Sequence, residues 1–505
     1  AGGGDTTLEQ IAVRALVGLL PPLLGAEEDT PDLSFMIERR PAAVAAWIEG
    51  EREYERLNFR TALELFSRAV TLDSLMAFAA LKGAQAASWR HRDGRADSLV
   101  SLAIRHDSVL SPPERRVARG LKAYLEGDPV RSVDELEAVL DSEPEWAEVW
   151  TLLGEAYYHL LPRGTEGSRS AERAFKESVR LDASFHPPLI HLTEISLREG
   201  DTETAARQLS LLEETDAPGS TLRELKLMMR CVGEGPASID WTEAVAVDVL
   251  AVLQAGHSLA SGGSQLECAE AAWRGVLEGG PYDRPTADPI WGSATGLSGL
   301  FSAQGRIHEL ESLLDDVRSS SSSRAAGAVP FLELLAATAD PSLARRAWAV
   351  DTLAHRLFGA GYAGIFPTEG YAVATWHAAE GRVEPVRLIA IQAASDSTLL
   401  TTQGNLMKIR AIQAHRDLLQ GDTAEAVAAM EALLAQPGPG DLAWSWDASL
   451  PFTRLTLAEV YLKRNRWERA LEVASQFDHP EPAAFLFFLP MSLGIRAEAS
   501  EALGR

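Results

Sequence analysis

The stretch WTLLGEAY (residues 150–157), together with SAERAFKESVRLD (170–182), decides the fold of this chain. Trp150, Gly154 and Tyr157 in the first segment are spaced so that they share one face of an α-helix. Ala171 and Phe175 in the second segment share a helix face in the same way. Small residues let two helices approach closely, and aromatic residues fill the wider gaps between helices. The two segments therefore predict a helical hairpin.

The same hairpin recurs along the chain. In WIEGEREYERLNFRTALELFSRAVTLDS (47–74), a glycine, an alanine and a phenylalanine follow one another at the spacing of a helix, a turn and a second helix. Four positions of this unit return in type at one fixed offset, as Ala62/Ala96, Ala69/Ala103, Asp73/Asp107 and Ser74/Ser108. A third unit is RGLKAYLEGDPVRSVDELEAVLDSEP (119–144). Fixed repetition of a short helical unit is typical of a repeat array.

Later units are recognised by the turn between their helices. Gly200, Gly305, Gly381 and Gly421 each stand where a helix should stop, and a second helix should begin within five residues. The last clear unit, LAEVYLKRNRWERALEVASQF (457–477), keeps the alanine spacing of the first. We count about ten helical hairpins in all, some of them degenerate.

These units resemble the tetratricopeptide repeat (TPR), whose pattern runs W, L, G, Y on its first helix and A, F, A, P on its second. The resemblance implies an all-α, right-handed superhelical solenoid of TPR-like hairpins. Over residues 5–215 the order of segments also resembles the C-terminal TPR region of large bacterial serine/threonine protein kinases and related multidomain regulators. That wider resemblance implies a docking or sensing module.

No catalytic centre is expected. HRDG (91–94) and HRDL (415–418) are similar to part of a kinase catalytic loop, but the asparagine that should follow is replaced by Ser98 and Asp422. No glycine-rich loop or metal-binding Asp-Phe-Gly accompanies either string. The eleven histidines are scattered without a His-Glu-x-x-His motif. We therefore predict no enzyme activity, no catalytic or metal-ligating residues and no cofactor.

Charge and composition restrict the partners. The 505 residues carry a formal net charge of −25 without a basic stripe, which disfavours nucleic acid as a partner. The apolar stretches IAVRALVGLLPPLLG (11–25) and AAFLFFLP (483–490) are interrupted or too short to cross a membrane, so no membrane insertion is predicted. Cys231 and Cys268 leave one isolated disulfide open and do not decide the compartment, and Cys231 alone would be a small core residue.

Interruptions rich in Gly, Pro and Ser suggest a division of the chain. The expected parts are an N-terminal helix and spacer (1–40), an N-terminal TPR array (41–280), a loop-rich segment with one hairpin (281–330) and a C-terminal TPR-like array (331–505). The last array should end in an unpaired helix. Repeat arrays need polar caps, and both ends of this sequence lack an evident one, which suggests a fragment of a longer polypeptide.

The first helix of each TPR hairpin lines the concave groove, and three positions around the motif glycine point inward. In this chain those positions predict a partner-binding surface formed by Trp47, Glu51, Tyr54, Gln85, Leu121, Tyr124, Thr151, Glu155 and Tyr158. The tyrosines would form either an aromatic stripe for a peptide or packing against the next hairpin.

The predicted function is a protein–protein interaction scaffold that binds a protein or peptide segment along the concave surface. The alternative is a structural protein that binds to itself and forms filaments by head-to-tail stacking of uncapped ends.

Overall fold

The computed structural model describes most of the chain as α-helix. The described residues are 39–89, 95–160, 166–215, 217–261, 263–279, 289–319, 323–339, 349, 352, 368–395, 403–435, 450–478 and 485–505. Within these ranges no residue is in a β-strand, which confirms the predicted all-α class. The predicted N-terminal helix (up to residue 38) and the HRDG string lie outside the described residues.

Among the described residues, ten pairs of consecutive helices form hairpins. In the first half the pairs are α1/α2 (Pro41–Glu55, Phe59–Leu72), α3/α4 (Ala77–Ser88, Arg95–Arg105), α5/α6 (Pro112–Leu125, Pro129–Leu140), α7/α8 (Ala147–Leu160, Glu166–Leu181) and α9/α10 (Pro188–Glu199, Thr202–Glu213). After the single helix α11 (Gly219–Glu234) come α12/α13 (Trp241–Ser261, Leu266–Glu278) and α14/α15 (Pro289–Gln304, Ile307–Arg318). Beyond α16 (Ser323–Ala339) come α17/α18 (Thr368–Ala379, Val383–Ser395), α19/α20 (Gln403–Gln420, Thr423–Leu434), α21/α22 (Pro451–Lys463, Trp467–Ser475) and the last helix, α23 (Leu489–Ala502).

The hairpins stack in order along the chain. The first helix of a hairpin contacts the first helix of the next, as α1 does with α3, α3 with α5 and α5 with α7. The same relation holds for α9 with α12, α12 with α14 and α17 with α19. These first helices are called the inner helices below. Stacking of like helices on like helices is the packing of a TPR-like array, so the expected repeat fold is confirmed.

The repeat glycines lie where two helices come closest. A β-carbon at Gly50 would stand 2.7 Å from Cε1 of Phe66, and one at Gly154 would stand 2.5 Å from Cε1 of Phe175. Both phenylalanine rings are fully buried. Because ordinary contacts are longer than this, neither position accepts a side chain. The glycine and aromatic residues of the sequence pattern therefore pack the helices of the first and fourth hairpins together, whereas Gly120 in the third hairpin faces Leu136.

The turn glycines also behave as predicted. Gly200, Gly305, Gly381 and Gly421 all have positive φ, from 68° to 95°, which L-residues rarely adopt. At Gly200 the backbone N–H bonds back to the last turn of α9, as in a helix C-cap. The next helix starts two residues later with Asp201 as its N-cap, whose carboxylate accepts a hydrogen bond from Thr204 N.

Helix α11 falls outside the alternation of inner and outer helices. It packs against α9, α10 and α12, while α12 takes the next inner position beside α9. A disulfide between Cys231 and Cys268 ties α11 to α13. The pairing that the sequence left open is therefore present, and Cys231 is both a core residue and a covalent link.

Helix α12 is the one described helix that is long and apolar enough, by length and composition, to cross a membrane, a feature that the sequence-based prediction did not consider. Half of that apolar stretch is buried within the protein. The helix is also interrupted at Asp248, where the backbone is extended and the carboxylate accepts hydrogen bonds from Ala251 N and Arg223. Burial and this break are typical of a core helix.

Contacts continue across the predicted boundaries. Helix α13 packs against α14 across residue 280, and α16 runs through residue 330 and packs against α14, α15 and α23. The last helix, α23, also contacts α21 and α22. The four-part division remains a prediction, because no separation of the chain into independent units has been observed.

Candidate functional site

The inner surface of the first four hairpins is filled by its own side chains. Eight of the nine residues predicted to face a partner are buried, with exposed fractions between 1% and 8%, and Glu51 is partly buried. The eight are Trp47, Tyr54, Gln85, Leu121, Tyr124, Thr151, Glu155 and Tyr158. Burial of all three tyrosines favours the packing alternative that the sequence left open. The role of these nine residues in partner binding remains a prediction.

One part of this interior is an ion-pair cluster between three inner helices. The Lys82 ammonium group on α3 hydrogen-bonds both carboxylate oxygens of Glu148 on α7 and lies 3.3 Å from Glu51 Oε2 on α1. Burial, only partly offset by Lys82, raises the pKa of Glu51 to about 7. The cluster joins the first hairpin to the fourth, and Glu51 is paired with Lys82 of the same chain.

An aromatic stack closes the interior beside this cluster. The Tyr54 ring lies edge-on to Phe59 and stacks on Phe185, with centroids 5.4 and 6.2 Å apart. The Tyr54 hydroxyl accepts a hydrogen bond of 3.2 Å from Trp89 Nε1, and the Trp89 ring stacks on His191. Aromatic side chains of the first two hairpins thus reach the start of the fifth hairpin.

Other predicted inner residues pack within the core. Thr151 donates a hydrogen bond of 2.8 Å to Ser178 on α8, because the single Ser178 hydroxyl proton goes to the Ala147 carbonyl. Leu121 and Tyr124 lie in the hydrophobic cluster of hairpins α3/α4 to α7/α8. The structure therefore does not bring these residues together with Glu155 and Tyr158.

Glu155 and Tyr158 take part in a buried polar cluster between α7 and α9. Glu155 Oε2 lies 3.3 Å from His159 Nε2, and Glu155 Oε1 lies 3.0 Å from His191 Nε2. The two Nε2 atoms are 3.3 Å apart. Glu194 Oε2 lies 2.7 Å from His191 Nδ1 and accepts a hydrogen bond of 2.9 Å from the Tyr158 hydroxyl. Five polar side chains thus meet within two turns of each helix.

The carboxylates of this cluster favour a positive charge between them. Burial alone would lower the pKa of His191, but Glu155 and Glu194 raise it to about 10. Burial alone would raise the pKa of Glu155, but the two histidines hold it far below its usual range. Two buried carboxylates without such compensation would be strongly destabilising.

The cluster forms part of the wall of a cavity of about 850 Å³. Inner helices α7, α9 and α12 and the single helix α11 surround it, with Trp89 and the start of α2 on the remaining side. Its polar lining includes His159, His191, Glu194, Arg198, Glu224, Gln254, His257 and Ser258. A smaller cavity of about 310 Å³ lies between the inner helices α17, α19 and α21 in the second half of the chain.

The far wall of the cavity belongs to α11 and α12. Ser258 donates a hydrogen bond of 3.0 Å to Glu224, and Arg198 donates one of 2.9 Å to the Ser258 carbonyl. Burial and the neighbouring Glu194 raise the pKa of Glu224 to about 8, while burial lowers that of His257 to about 4. Near neutral pH both groups are therefore largely uncharged.

Sequence reasoning missed most of this site. Glu155 and His159 are one helical turn apart, as are His191 and Glu194, and this spacing could have drawn attention to them. That the two pairs face each other depends on how α7 and α9 pack, which no motif of the sequence reports. The α11 wall was missed because that helix lies outside the repeat.

The second kinase-like string lies inside a helix, and its His415 lines the cavity between α17, α19 and α21. His415 lies within α19, is buried, and its Nε2 lies 3.2 Å from the Thr453 hydroxyl. Asp417 pairs with Arg416 on the same helix. Neither residue lies in the cavity of the first half of the chain.

Comparisons with known proteins add little beyond this geometry. No protein-family model matches the chain, and no curated protein matches it. Among solved structures, the TPR domain of P58(IPK) is similar at 14% identity and a TM-score of 0.20, covering 92% of this chain and 98% of that one. The Naa15/Naa10 complex bound to HypK-THB is similar at 15% identity and a TM-score of 0.25, covering 98% and 79%. With scores this low, the fold assignment depends on the hairpins described above.

Proposed function

We propose that this chain is a protein-interaction scaffold that receives a partner segment in the cavity between α7, α9, α11 and α12. The proposal is supported by the polar groups that line this cavity, of which Arg198 on α9 and Gln254, His257 and Ser258 on α12 are not fully buried. TPR-like arrays present their inner helices to ligands, and in the first four hairpins that surface is already occupied by the protein itself. This cavity, of about 850 Å³, is larger than the one of about 310 Å³ between α17, α19 and α21.

The size and lining of the cavity suit a short peptide segment. A volume of about 850 Å³ lies in the usual range for ligand sites, roughly 300–1,000 Å³. Trp89 and Ile190 offer apolar contact, while Arg198, Gln254 and Ser258 offer hydrogen bonds. Such a mixture of apolar area and a few directed polar groups gives specificity as well as affinity.

A cavity-filling variant tests the proposal. Gln254 is exposed on α12 and lines the cavity, so Gln254→Trp should block it without disturbing the core. Gln420→Trp, at the exposed end of α19, is the matched control. Peptides selected on the wild-type protein from a displayed random library would be measured against both variants by fluorescence polarisation.

We expect at least tenfold weaker binding to Gln254→Trp and unchanged binding to Gln420→Trp. Equal affinity for the wild-type protein and Gln254→Trp would show that partners bind elsewhere. Failure to select any peptide on the wild-type protein would also count against a peptide-binding scaffold.

We further propose that the scaffold serves a bacterial regulatory protein, as the resemblance over residues 5–215 implies. The filament alternative remains a prediction. Its self-association would be detected as a concentration-dependent particle size in light scattering, whereas a constant monomer mass at high concentration would exclude it.

A further inference from the structure

Three side chains of the buried cluster are arranged like the ligands of a metal ion. Glu155 and His159 lie one turn apart on α7, and His191 faces them from α9. All three are buried, and their ligand atoms lie within 4.8 Å of one another. We propose that these residues bind a divalent transition-metal ion, and that Zn²⁺ is the ion they fit best. The proposal is independent of the peptide-binding function.

The distances between the ligand atoms support this assignment. The three separations are 3.3 Å (Glu155 Oε2 to His159 Nε2), 3.0 Å (Glu155 Oε1 to His191 Nε2) and 3.3 Å (between the two Nε2 atoms). In a tetrahedral zinc site with bonds of about 2.0–2.1 Å, neighbouring ligand atoms are separated by roughly 3.3 Å. The two Nε2 atoms are thus separated as two ligands of one zinc ion would be, and each of them faces a different oxygen of Glu155, whose carboxylate would supply the third ligand.

A carboxylate behind the cluster fixes the orientation of one ligand. His191 Nδ1 lies 2.7 Å from Glu194 Oε2, and a carboxylate can only accept, so Nδ1 carries the proton. In the neutral ring that a bound metal ion requires, the lone pair of Nε2 is then directed toward Glu155 and His159. Glu194 is held in turn by the Tyr158 hydroxyl at 2.9 Å. Metal-binding histidines commonly have such a carboxylate partner on the second ring nitrogen.

The charges of the cluster suit a dication. Glu155 and Glu194 are buried and bring two negative charges. Arg198 already lies 3.8 Å from Glu194 Oε2, and a Zn²⁺ ion bound to two neutral histidines would neutralise Glu155 and share Glu194 with Arg198. Two imidazoles and one carboxylate are ligands that Zn²⁺ and Fe²⁺ share, and an approximately tetrahedral spacing favours Zn²⁺. A metal-free network, with a proton on His191 instead of the ion, is the competing arrangement.

The proposed ion would keep one coordination position toward the cavity. His159 and His191 line the cavity, while Glu155 lies behind them. Three protein ligands and one open position are typical of zinc sites that bind water or an external ligand.

Metal content and affinity test the proposal on the full chain, after removal of any polyhistidine tag. The wild-type protein would be stripped with a chelator, loaded with Zn²⁺, desalted and analysed by mass spectrometry for metal content. Affinity would be measured by competition with a chromophoric chelator. We expect one equivalent of Zn²⁺ and a visible four-coordinate spectrum when Co²⁺ replaces it. Less than half an equivalent in the wild-type protein would overturn the proposal and support the metal-free network.

Variants identify the ligands. Glu155→Gln, His159→Gln and His191→Gln should each weaken Zn²⁺ binding at least 100-fold, and Glu194→Gln, as a positioning residue, 10–100-fold. His257→Gln is the control, because His257 lines the same cavity outside the cluster. Equal loss in His257→Gln, or wild-type affinity in His191→Gln, would refute the assignment. If a ligand variant does not fold, the Co²⁺ spectrum of the wild-type protein tests the proposal instead. Intense visible bands would indicate the expected four-coordinate site, whereas imidazole and carboxylate ligands in octahedral geometry give only weak bands. Loading with Fe²⁺ in parallel distinguishes the two ions.

Discussion

Replacing Gly154 with alanine should destabilise the fourth hairpin, although alanine is the better helix former. The new β-carbon would stand 2.5 and 2.6 Å from two ring atoms of Phe175, nearly 1 Å inside ordinary contact. Phe175 is fully buried and packs against Tyr158 and His191, so its ring has little room to retreat. Overpacking of this kind costs about 1–3 kcal/mol.

The helix preference acts in the opposite direction and can be measured separately. An alanine in a helix interior is more stable than a glycine by about 1 kcal/mol. At Gly494, inside α23, a β-carbon would have no neighbouring atom within 4 Å, so Gly494→Ala should show this gain alone. The difference between the two variants, about 1–3 kcal/mol, is then the cost of the contact with Phe175.

Hydrogen exchange of the native protein is the suitable assay, because a long repeat array need not unfold in one step. Amides of α7 and α8 should exchange several-fold faster in Gly154→Ala than in the wild-type protein. When Phe175 has already been replaced with leucine, adding Gly154→Ala should accelerate exchange less than it does in the wild-type protein. If Gly154→Ala slows exchange in α7 and α8 as much as Gly494→Ala slows it in α23, the contact with Phe175 has no cost and the reasoning is refuted.

Three further predictions follow from buried groups. Replacing Cys231 and Cys268 with serine removes a cross-link between residues 37 apart and should lower the free energy of unfolding by about 2–4 kcal/mol. Thermal melts with and without reductant measure this change, and an unchanged melting midpoint would contradict it. Burial lowers the pKa of His415 to about 4, whereas an unfolded histidine titrates near 6.5, so the unfolded chain binds more protons between these values. The free energy of unfolding should therefore fall as pH drops from about 6.5 to about 4, and His415 should contribute up to about 1.4 kcal/mol of this loss per pH unit. The melting midpoint of His415→Asn should depend less steeply on pH over the same range. Tyr54→Ala should lower the free energy of unfolding by roughly 3 kcal/mol, because the ring is buried between Phe59 and Phe185. The affinity for peptides that bind in the cavity should stay unchanged. Unchanged stability with weaker peptide binding would instead show that Tyr54 belongs to the partner-binding surface.

The hairpins could be predicted because their determinants are local. Gly50 and Phe66, or Gly154 and Phe175, contact each other within a single hairpin, so their spacing is visible in the sequence. The turn glycines are equally local, since each one ends the helix that precedes it.

The site could be predicted only in part. The inner-position rule selected Glu155 and Tyr158, but it assumed an open groove. Whether a groove is open depends on the small rotation between successive repeats, which the period does not reveal. Here Tyr54 stacks on Phe185, and this contact closes the first part of the interior. The partner histidine, His191, is contributed by another hairpin.

The covalent link between α11 and α13 has a consequence for cooperativity. In a repeat array each helix pair can unfold almost independently of more distant pairs, because it contacts only its neighbours. The Cys231–Cys268 bond spans α12 and so joins two helices that are second neighbours in the stack. The α11 wall of the cavity cannot detach while the α12/α13 hairpin stays folded. Oxidised protein should thus open this region as one cooperative unit, and reduced protein as two.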